Sequence, residues 1–369
     1  MFYGEQVCKI YKKIDLFYYM SMYVLIFSCF LLVTSCNYKK DYQGVSRFYS
    51  LRPADRSAAM PDSVLVYLNE ALDTIYKYSI HTDSMNWPFY REGIYKKAMG
   101  AQIYAQTYYA IEEALKGLGD NHSFLKSPDE HQKWSNVSTK DTILFKSVDG
   151  VMLSNKIARI YVPRFFSGDP ALSLQYANDL QRVIRDLDSK NPIGWIIRLE
   201  YNFGGNMWPM LAGVGPLLNS EGVQGGFLAK DGNITPWAYD SGIVKMGDEE
   251  MLRVTNPYKV KDKSVPIAVT INGRTASSAE AILISFIGQP NTKIFGTPTA
   301  GLSTANGSYG LRDGAQLILT SAVFTDRKGV VYGKKIKPDV YLVNGLSTIF
   351  TRRTKEAEKW ILTNYHKNR

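Results

Sequence analysis

Ser277 stands where a serine nucleophile would benefit most from its surroundings. It follows an apolar run at residues 265–271 and a turn of small residues, and it precedes a helical pattern. Unpaired backbone N–H groups at a helix N-terminus stabilise the oxyanion that forms beside such a nucleophile. A helix cap explains the same spacing, with Ser277 or Ser278 as the cap and Glu280 completing a capping box. Spacing alone leaves both interpretations open.

Two adjacent glycines, Gly204 and Gly205, follow a second apolar run at residues 193–199. Glycine adopts positive φ without strain and lets the backbone approach a ligand closely. A backbone N–H group in such a turn is suited to stabilising negative charge on a substrate carbonyl. An ordinary turn between two elements is the alternative.

A base for Ser277 would have to be a histidine or a lysine, and the chain has four histidines. His122 has the most structured setting, because it follows a helical pattern that ends at Gly119. The other three lie after a helix end, in a polar loop and in the C-terminal tail: His81, His131 and His366. His122 is therefore the candidate base.

The later part of the chain alternates strand and helix patterns. Short buried strands are predicted at residues 157–162, 193–199 and 265–271, and helices at 171–187 and 279–286. A β-rich run follows at 315–325, and an amphipathic helix at 346–365. Because strands that alternate with helices need crossover connections, the pattern predicts a layered α/β core over residues 140–369, which carries Ser277.

The preceding region has helical patterns and predicts a small helical subdomain over residues 51–135, which carries His122. Apolar positions recur at helical spacing from Asp62, and a second helical stretch runs from about residue 91 to 118.

The N-terminal segment is typical of an exported lipoprotein. A basic start precedes an apolar run at residues 22–33, which ends in the sequence V-T-S-C at Cys36. This ending resembles the bacterial lipobox, in which the cysteine receives the lipid. We therefore predict a signal peptide over residues 1–35 and a polar tether over 36–50.

A plain membrane anchor is the alternative, since the apolar segment counted from Phe17 has 17 residues, near the lower limit for a spanning helix. A misassigned start is a further alternative. The lipoprotein interpretation places the mature protein in the bacterial cell envelope, lipid-anchored at the periplasmic or outer-membrane face.

Composition excludes several other classes. Of 369 residues, 45% are apolar and 21% charged, as in ordinary globular proteins. The net charge of +10 is spread along the chain and does not predict a nucleic-acid partner. All three cysteines fall within the first 36 residues, so the folded body has no cysteine-based disulfide or metal site. No metal-ligand spacing or phosphate loop is present, and no cofactor is predicted.

Taken together, four motifs resemble those of the C-terminal processing peptidase family, which includes the tail-specific proteases and the tricorn core protease. They are T-A-S-S-A-E around Ser277, the N-x-G-G turn upstream, the T-P-T-A-G loop at residues 297–301 and the L-G-D-x-H-S element at 118–123. The resemblance covers residues 150–340 and extends to 83–125. It implies a ClpP/crotonase-like layered core with a mixed sheet.

The resemblance implies Ser277 as the nucleophile of a serine peptidase. The backbone N–H of Ser278, with one from Gly204 or Gly205, would form the oxyanion hole. The processing-peptidase branch places a lysine base 25 residues after the serine, where this chain has Leu302. The chain therefore looks like the tricorn branch, in which a histidine is the base.

By that resemblance, His122 would serve as the base. The tricorn branch also has a downstream glutamate, and the corresponding residues 331–339 contain none. The acid that would orient His122 stays open among Asp120, Glu280 and Asp326.

Two further departures concern other parts of the chain. The usual D-L-R before the glycines is replaced by R-L-E at residues 198–200, and an ion pair between the two ends could survive this exchange. Residues 125–155 do not resemble the peptide-binding PDZ insert of many family members.

Two hypotheses follow. The first is an exported, lipid-anchored serine peptidase that cleaves short or unstructured peptides or unfolded protein through an acyl-enzyme. The second is a lipoprotein of the same fold that binds a peptide or a hydrophobic ligand without cleaving it. The sequence does not indicate an oligomeric state.

Overall fold

A computed structural model describes residues 46–135, 148–342 and 349–367, with the side chains of 133–135, 349–352 and 367 left aside. The predicted signal peptide, the lipidation site Cys36 and most of the tether lie outside the described residues. Within the described residues, no helix is both long enough and apolar enough to cross a membrane.

The helices and strands have the following bounds. The helices are α1 (Asp62–Tyr78), α2 (Trp87–Ala98), α3 (Tyr108–Lys116), α4 (Pro128–Ser135), α5 (Pro170–Asp188), α6 (Met207–Val214), α7 (Ser278–Phe286) and α8 (Ile349–Lys367). The strands are β1 (Phe124–Lys126), β2 (Asp149–Met152), β3 (Ile157–Tyr161), β4 (Gly194–Arg198), β5 (Gly222–Ala229), β6 (Ile234–Asp240), β7 (Ile243–Met246), β8 (Glu249–Arg253), β9 (Ile267–Ile271), β10 (Thr292–Gly296), β11 (Thr304–Gly310), β12 (Gln316–Asp326) and β13 (Val340–Tyr341).

One sheet has the order β13-β10-β9-β4-β3-β2, parallel except for the β2–β3 pair. Its central strands are buried on both faces, which explains their continuous apolar runs. Alternate residues face opposite ways: Ile196 and Ala268 pack with α8, whereas Ile197 and Val269 belong to the core that contains residues of α5, α6 and α7. The predicted strands and helices of this core, and the α/β fold class, are confirmed.

The second sheet is antiparallel, with the order β1-β12-β5-β6-β7-β8 and β11 also paired with β12. The sequence pattern predicted only the β12 part of it. The strands of the β5–β8 meander are partly exposed and carry Gly, Pro and charged residues, so they lack a clear apolar pattern.

The predicted helical stretch over residues 91–118 is confirmed in part, because a break divides it into two helices. The chain leaves α2 after Ala98, passes through Gly100 at φ +84° and makes a 3₁₀ turn at Tyr104–Thr107 before α3 begins. A Cβ at Gly100 would lie 2.0 Å from the carbonyl oxygen of Asp55, so a contact distant in sequence fixes the break. The predicted start of α1 agrees with the structure. The final helix is confirmed from Ile349 onward, and its predicted start at residue 346 lies outside the described residues.

The helices α1 and α3 pack on the β11–β12 hairpin. Their apolar core includes Leu317 and Leu319 of β12, and the hydroxyls of Tyr67 and Tyr108 both donate to the carboxylate of Asp313 in the hairpin turn. This packing holds β1 at the edge of the second sheet, and His122 lies just before that strand. The division of the chain into two units at residues 135–140 stays a prediction.

Candidate active site

The two motif-bearing turns meet because β4 and β9 are parallel neighbours, whose C-terminal ends lie at the same edge of the sheet. The backbone N–H of Ala276 donates to the carbonyl of Asn202 at 3.0 Å. The Thr275 hydroxyl donates to the carbonyl of Leu199 at 2.9 Å. These bonds fix the turn that carries Ser277 against the turn that carries the glycines.

Ser277 has φ 54° and ψ −123°, a conformation that L-residues rarely adopt. It precedes α7 directly, so the helix N-terminus lies beside it. Such strain persists only where the surroundings hold it, and it clusters at functional sites. A strained turn between a strand and a helix is also the setting that exposes the nucleophilic serine in α/β-hydrolases.

Glu280 holds this turn in place from within the core. Its carboxylate accepts the N–H of Ser277 at 3.0 Å on one oxygen and, on the other, the hydroxyl of Thr299 at 2.5 Å and the N–H of Gly301 at 3.2 Å. Burial raises the pKa of Glu280 to about 7, although these hydrogen bonds favour its ionised form. The Glu280 half of the capping box is therefore present, and it also ties the T-P-T-A-G loop to the nucleophile turn.

The glycine turn requires its glycines. Gly204 has φ +92°, and a Cβ there would lie 2.9 Å from Ser277 Cβ and 2.9 Å from the Ser278 nitrogen. Gly205 has φ +117°, and a Cβ would lie 2.0 Å from the carbonyl oxygen of Phe165. A side chain at either position would displace its neighbours.

The structure distinguishes the two glycines as hydrogen-bond donors. The Gly204 N–H donates to Oδ1 of Asn202 at 2.9 Å, whereas the Gly205 N–H has no acceptor among the described residues. The Ser278 hydroxyl donates to the Gly205 carbonyl at 2.5 Å and joins the glycine turn to α7.

His122 is held by three side chains. The ring Nδ1 lies 2.8 Å from Oγ1 of Thr304. The backbone N–H of His122 donates to Asp120 Oδ1 at 3.0 Å, and its backbone carbonyl accepts from Nδ2 of Asn306 at 3.0 Å. Burial lowers the pKa of His122 below 6.5, and the charge of Asp120 opposes this shift. This shift favours the uncharged form of the ring.

A cleft of about 1420 Å³ is lined by both Ser277 and His122, together with Ser278 and Gly205. No hydrogen bond joins Ser277 Oγ to the His122 ring among the described contacts. Catalytic hydrogen bonds are often longer without substrate than in the complex. Leu302, which stands at the position of the family's lysine, also lines the cleft.

None of the three candidate acids contacts the His122 ring within the part of the chain that is described. Asp120 bonds the backbone of His122 and Ser123, and Glu280 is occupied as above. Asp326 accepts from the N–H groups of Lys328 and Val330 in its own turn. A hydroxyl, that of Thr304, takes the place next to the ring.

The exchanged charges before the glycines do form an ion pair. Arg198 Nε lies 3.3 Å from Glu200 Oε2, and Arg353 of α8 lies 3.7 Å from the other oxygen. The Thr270 hydroxyl also donates to Glu200 at 2.8 Å. Glu200 is buried, and this set of partners compensates its charge.

Sequence reasoning missed Thr304, Asn306 and Arg353, and it named the loop that contains Thr299 without giving that residue a role. A threonine at the start of a strand is ordinary, and no spacing in the sequence connects it with His122. Asn202 could have been noticed as the asparagine of the N-x-G-G motif, whose side chain is short enough to bond the turn that follows it.

Comparison with known proteins supports the predicted resemblance. The sequence model of Peptidase family S41 matches residues 156–342. The nisin-resistance protein of Lactococcus lactis subsp. lactis is 30% identical over 290 residues, which cover 78% of this chain and 86% of that protein. The carboxy-terminal processing protease CtpA of Bacillus subtilis (strain 168) is 28% identical over 202 residues, 54% of this chain and 38% of that protein.

Two solved structures share the fold. A lipoprotein from Streptococcus agalactiae superposes with a TM-score of 0.66 at 27% identity, covering 83% of this chain and 99% of that one. The photosystem II D1 C-terminal processing protease superposes with a TM-score of 0.57 at 15% identity, covering 76% and 94%. The second likeness concerns the fold alone.

Gly204→Ala tests whether the glycine turn must touch the nucleophile turn. We expect it to lower the free energy of unfolding in urea and to abolish labelling by a serine-directed fluorophosphonate probe, because the new Cβ would collide with Ser277 and Ser278. Gly222→Ala is the matched control: its φ is +95°, and nothing lies within 4 Å of a Cβ there. The control should lose about 1–2 kcal/mol for its conformation and keep its labelling. Equal effects of the two substitutions would contradict the close contact.

Glu280→Gln tests the buried carboxyl through pH. The pKa of Glu280 is about 7 in the folded chain and 4.5 in the unfolded chain. Between these two pH values the folded state keeps a proton that the unfolded state releases. The contribution of this carboxyl to stability is complete below pH 4.5 and is lost as the pH rises through about 7. The stability of the parent relative to the variant should therefore fall over this range by on the order of 3 kcal/mol, measured by urea unfolding at several pH values. A difference that does not vary with pH would show that Glu280 keeps its ordinary pKa.

Proposed function

We propose that this chain, which belongs to peptidase family S41, is a serine peptidase with Ser277 as nucleophile and His122 as general base. One observation carries the proposal. The strained Ser277 at the N-terminus of α7 and the His122 ring line the same cleft. A serine that only capped a helix would not need a conformation at φ 54°.

The proposed reaction begins when Ser277 Oγ attacks the carbonyl carbon of the scissile peptide bond and His122 Nε2 takes its proton. The oxyanion would accept hydrogen bonds from the N–H groups of Gly205 and Ser278. His122 then gives the proton to the leaving amine, which leaves an acyl-enzyme on Ser277. Water, deprotonated by His122, hydrolyses the ester and restores the serine.

The cleft favours peptides with apolar side chains. Three partly exposed phenylalanines line it near the candidate site: Phe124, Phe166 and Phe203. Phe203 precedes the glycine turn, and Phe166 reaches to 2.9 Å from the position of a Cβ on Gly205. A short or unstructured peptide is therefore the proposed substrate. The name of the Lactococcus relative makes nisin the first peptide to test.

A fluorophosphonate probe on the full chain in detergent tests the chemistry. The parent should be labelled, whereas Ser277→Ala and His122→Ala should lose labelling by at least about 100-fold, since the first lacks the nucleophile and the second its base. His366→Ala, which removes an exposed histidine of α8, is the control and should label like the parent. Mass spectrometry of nisin and of an unstructured peptide mixture after incubation would then locate the cleaved bonds.

Each result of this experiment has a definite meaning. A folded parent without labelling would reject the peptidase and favour the alternative, a lipoprotein that binds peptides without cleaving them. If labelling is lost in Ser277→Ala but persists in His122→Ala, Ser277 remains the proposed nucleophile and His122 is rejected as its base.

We also propose that Cys36 carries the lipid that anchors the protein in the cell envelope. The similarity to a streptococcal lipoprotein supports an envelope location. Growth with an alkyne fatty acid should label the parent, and Cys36→Ser should abolish this labelling. Cys29→Ser, which lies within the apolar run, is the control and should remain labelled. Lipid on the Cys36→Ser variant would contradict the assignment.

A further inference from the structure

The Thr304 hydroxyl contacts Nδ1 of the His122 ring. Nδ1 is the ring nitrogen that would not accept the proton from Ser277 in the proposed reaction. Oγ1 of Thr304 lies 2.8 Å from Nδ1, a normal hydrogen-bond length. For His122 to accept a proton through Nε2, the neutral ring must carry its hydrogen on Nδ1. That N–H then needs an acceptor, and among the described residues the Thr304 hydroxyl oxygen lies within hydrogen-bond distance.

The position of Thr304 is fixed by the sheet. It begins β11, where it pairs with Val323 of β12, and it is 8% exposed. A β-branched side chain in a paired strand has few rotamers, so its hydroxyl is held in place. Asn306, two residues later, binds the His122 carbonyl from the same strand. One strand thus fixes both the ring and the backbone of His122.

The carboxylates near the site are engaged elsewhere. Asp120 accepts from the N–H groups of His122 and Ser123 and from the Ser123 hydroxyl, not from the ring. Glu280 holds the Ser277 turn and the loop at residues 299–301. Orientation of the ring is therefore left to the threonine.

We propose that Thr304 is the positioning residue that sets the tautomer of His122, in the role that a carboxylate has in Ser-His-Asp triads. The inference rests on the proposed peptidase function, in which His122 is the base. A hydroxyl orients the ring but adds no negative charge, so the imidazolium that forms during the reaction is stabilised less than beside a carboxylate. Burial also lowers the pKa of His122, which is consistent with this arrangement.

The test compares Thr304→Val, which keeps the shape and removes the hydroxyl, with Thr304→Ser, which keeps the hydroxyl. The rate of fluorophosphonate labelling should fall by at least about tenfold in Thr304→Val and stay within about threefold of the parent in Thr304→Ser. The acidic limb of the rate against pH should also move to lower pH in Thr304→Val, because the imidazolium loses an acceptor. A residue that only supported the fold would change the rate without moving this limb.

A second measurement is independent of activity. In protein with ¹⁵N-labelled histidine, the resonances of His122 are identified by their loss in His122→Ala, since the chain has four histidines. The parent and Thr304→Ser should show the hydrogen on Nδ1, and Thr304→Val should shift it to Nε2. A parent with the hydrogen on Nε2, or an unchanged tautomer in a folded Thr304→Val, would overturn the inference.

The two measurements separate the two proposals. A parent that is never labelled would reject the peptidase, and the catalytic role of Thr304 with it, while the tautomer would still decide whether Thr304 orients the ring. If the parent is labelled, and Thr304→Val changes neither the His122 tautomer nor the acidic limb of the pH–rate profile, the peptidase proposal stands and only the role of Thr304 is rejected.

Discussion

The parallel pairing of β4 with β9 is the constraint on which the candidate site depends. It brings the turn after β4 and the turn after β9 to one edge, where Ala276 bonds Asn202. A slip of one residue between these strands would move the turns apart by about 3.3 Å. That distance exceeds the tolerance of a hydrogen bond to an oxyanion. The geometry of the candidate site therefore depends directly on the register between these two strands.

The other half of the site comes from the second sheet. β1 brings His122 to β12, and β11 supplies Thr304 and Asn306, so His122 is held by antiparallel pairing. Aromatic side chains join this sheet to α7, where Trp237 Nε1 donates to the Ser285 hydroxyl at 3.2 Å. The distance between His122 and Ser277 is thus set by the packing of two sheets, not by either one alone.

The sequence predicted what local pattern determines. The strands β3, β4 and β9 are buried on both faces and read as apolar runs. The four motifs indicated the family, whose sequence model matches residues 156–342. The break at Gly100 depends on a contact with Asp55, and the role of Thr304 depends on the pairing of β11. Neither leaves a signature in spacing or composition. The roles of Ser277 and His122 were reached through resemblance and stay predictions.

The ion pair between Glu200 and Arg353 joins residues that the ribosome adds at widely separated times. Glu200 is buried two residues after β4, while its partner lies in α8, about 150 residues later. During translation the glycine turn leaves the ribosome well before Arg353 does. Until then the Glu200 carboxylate lacks one of its cations, and the face of the sheet that carries Ile196 and Ala268 lacks α8, the helix that covers it. A chain that ends before α8 would therefore leave a buried carboxylate short of a cation and an apolar sheet face exposed to water.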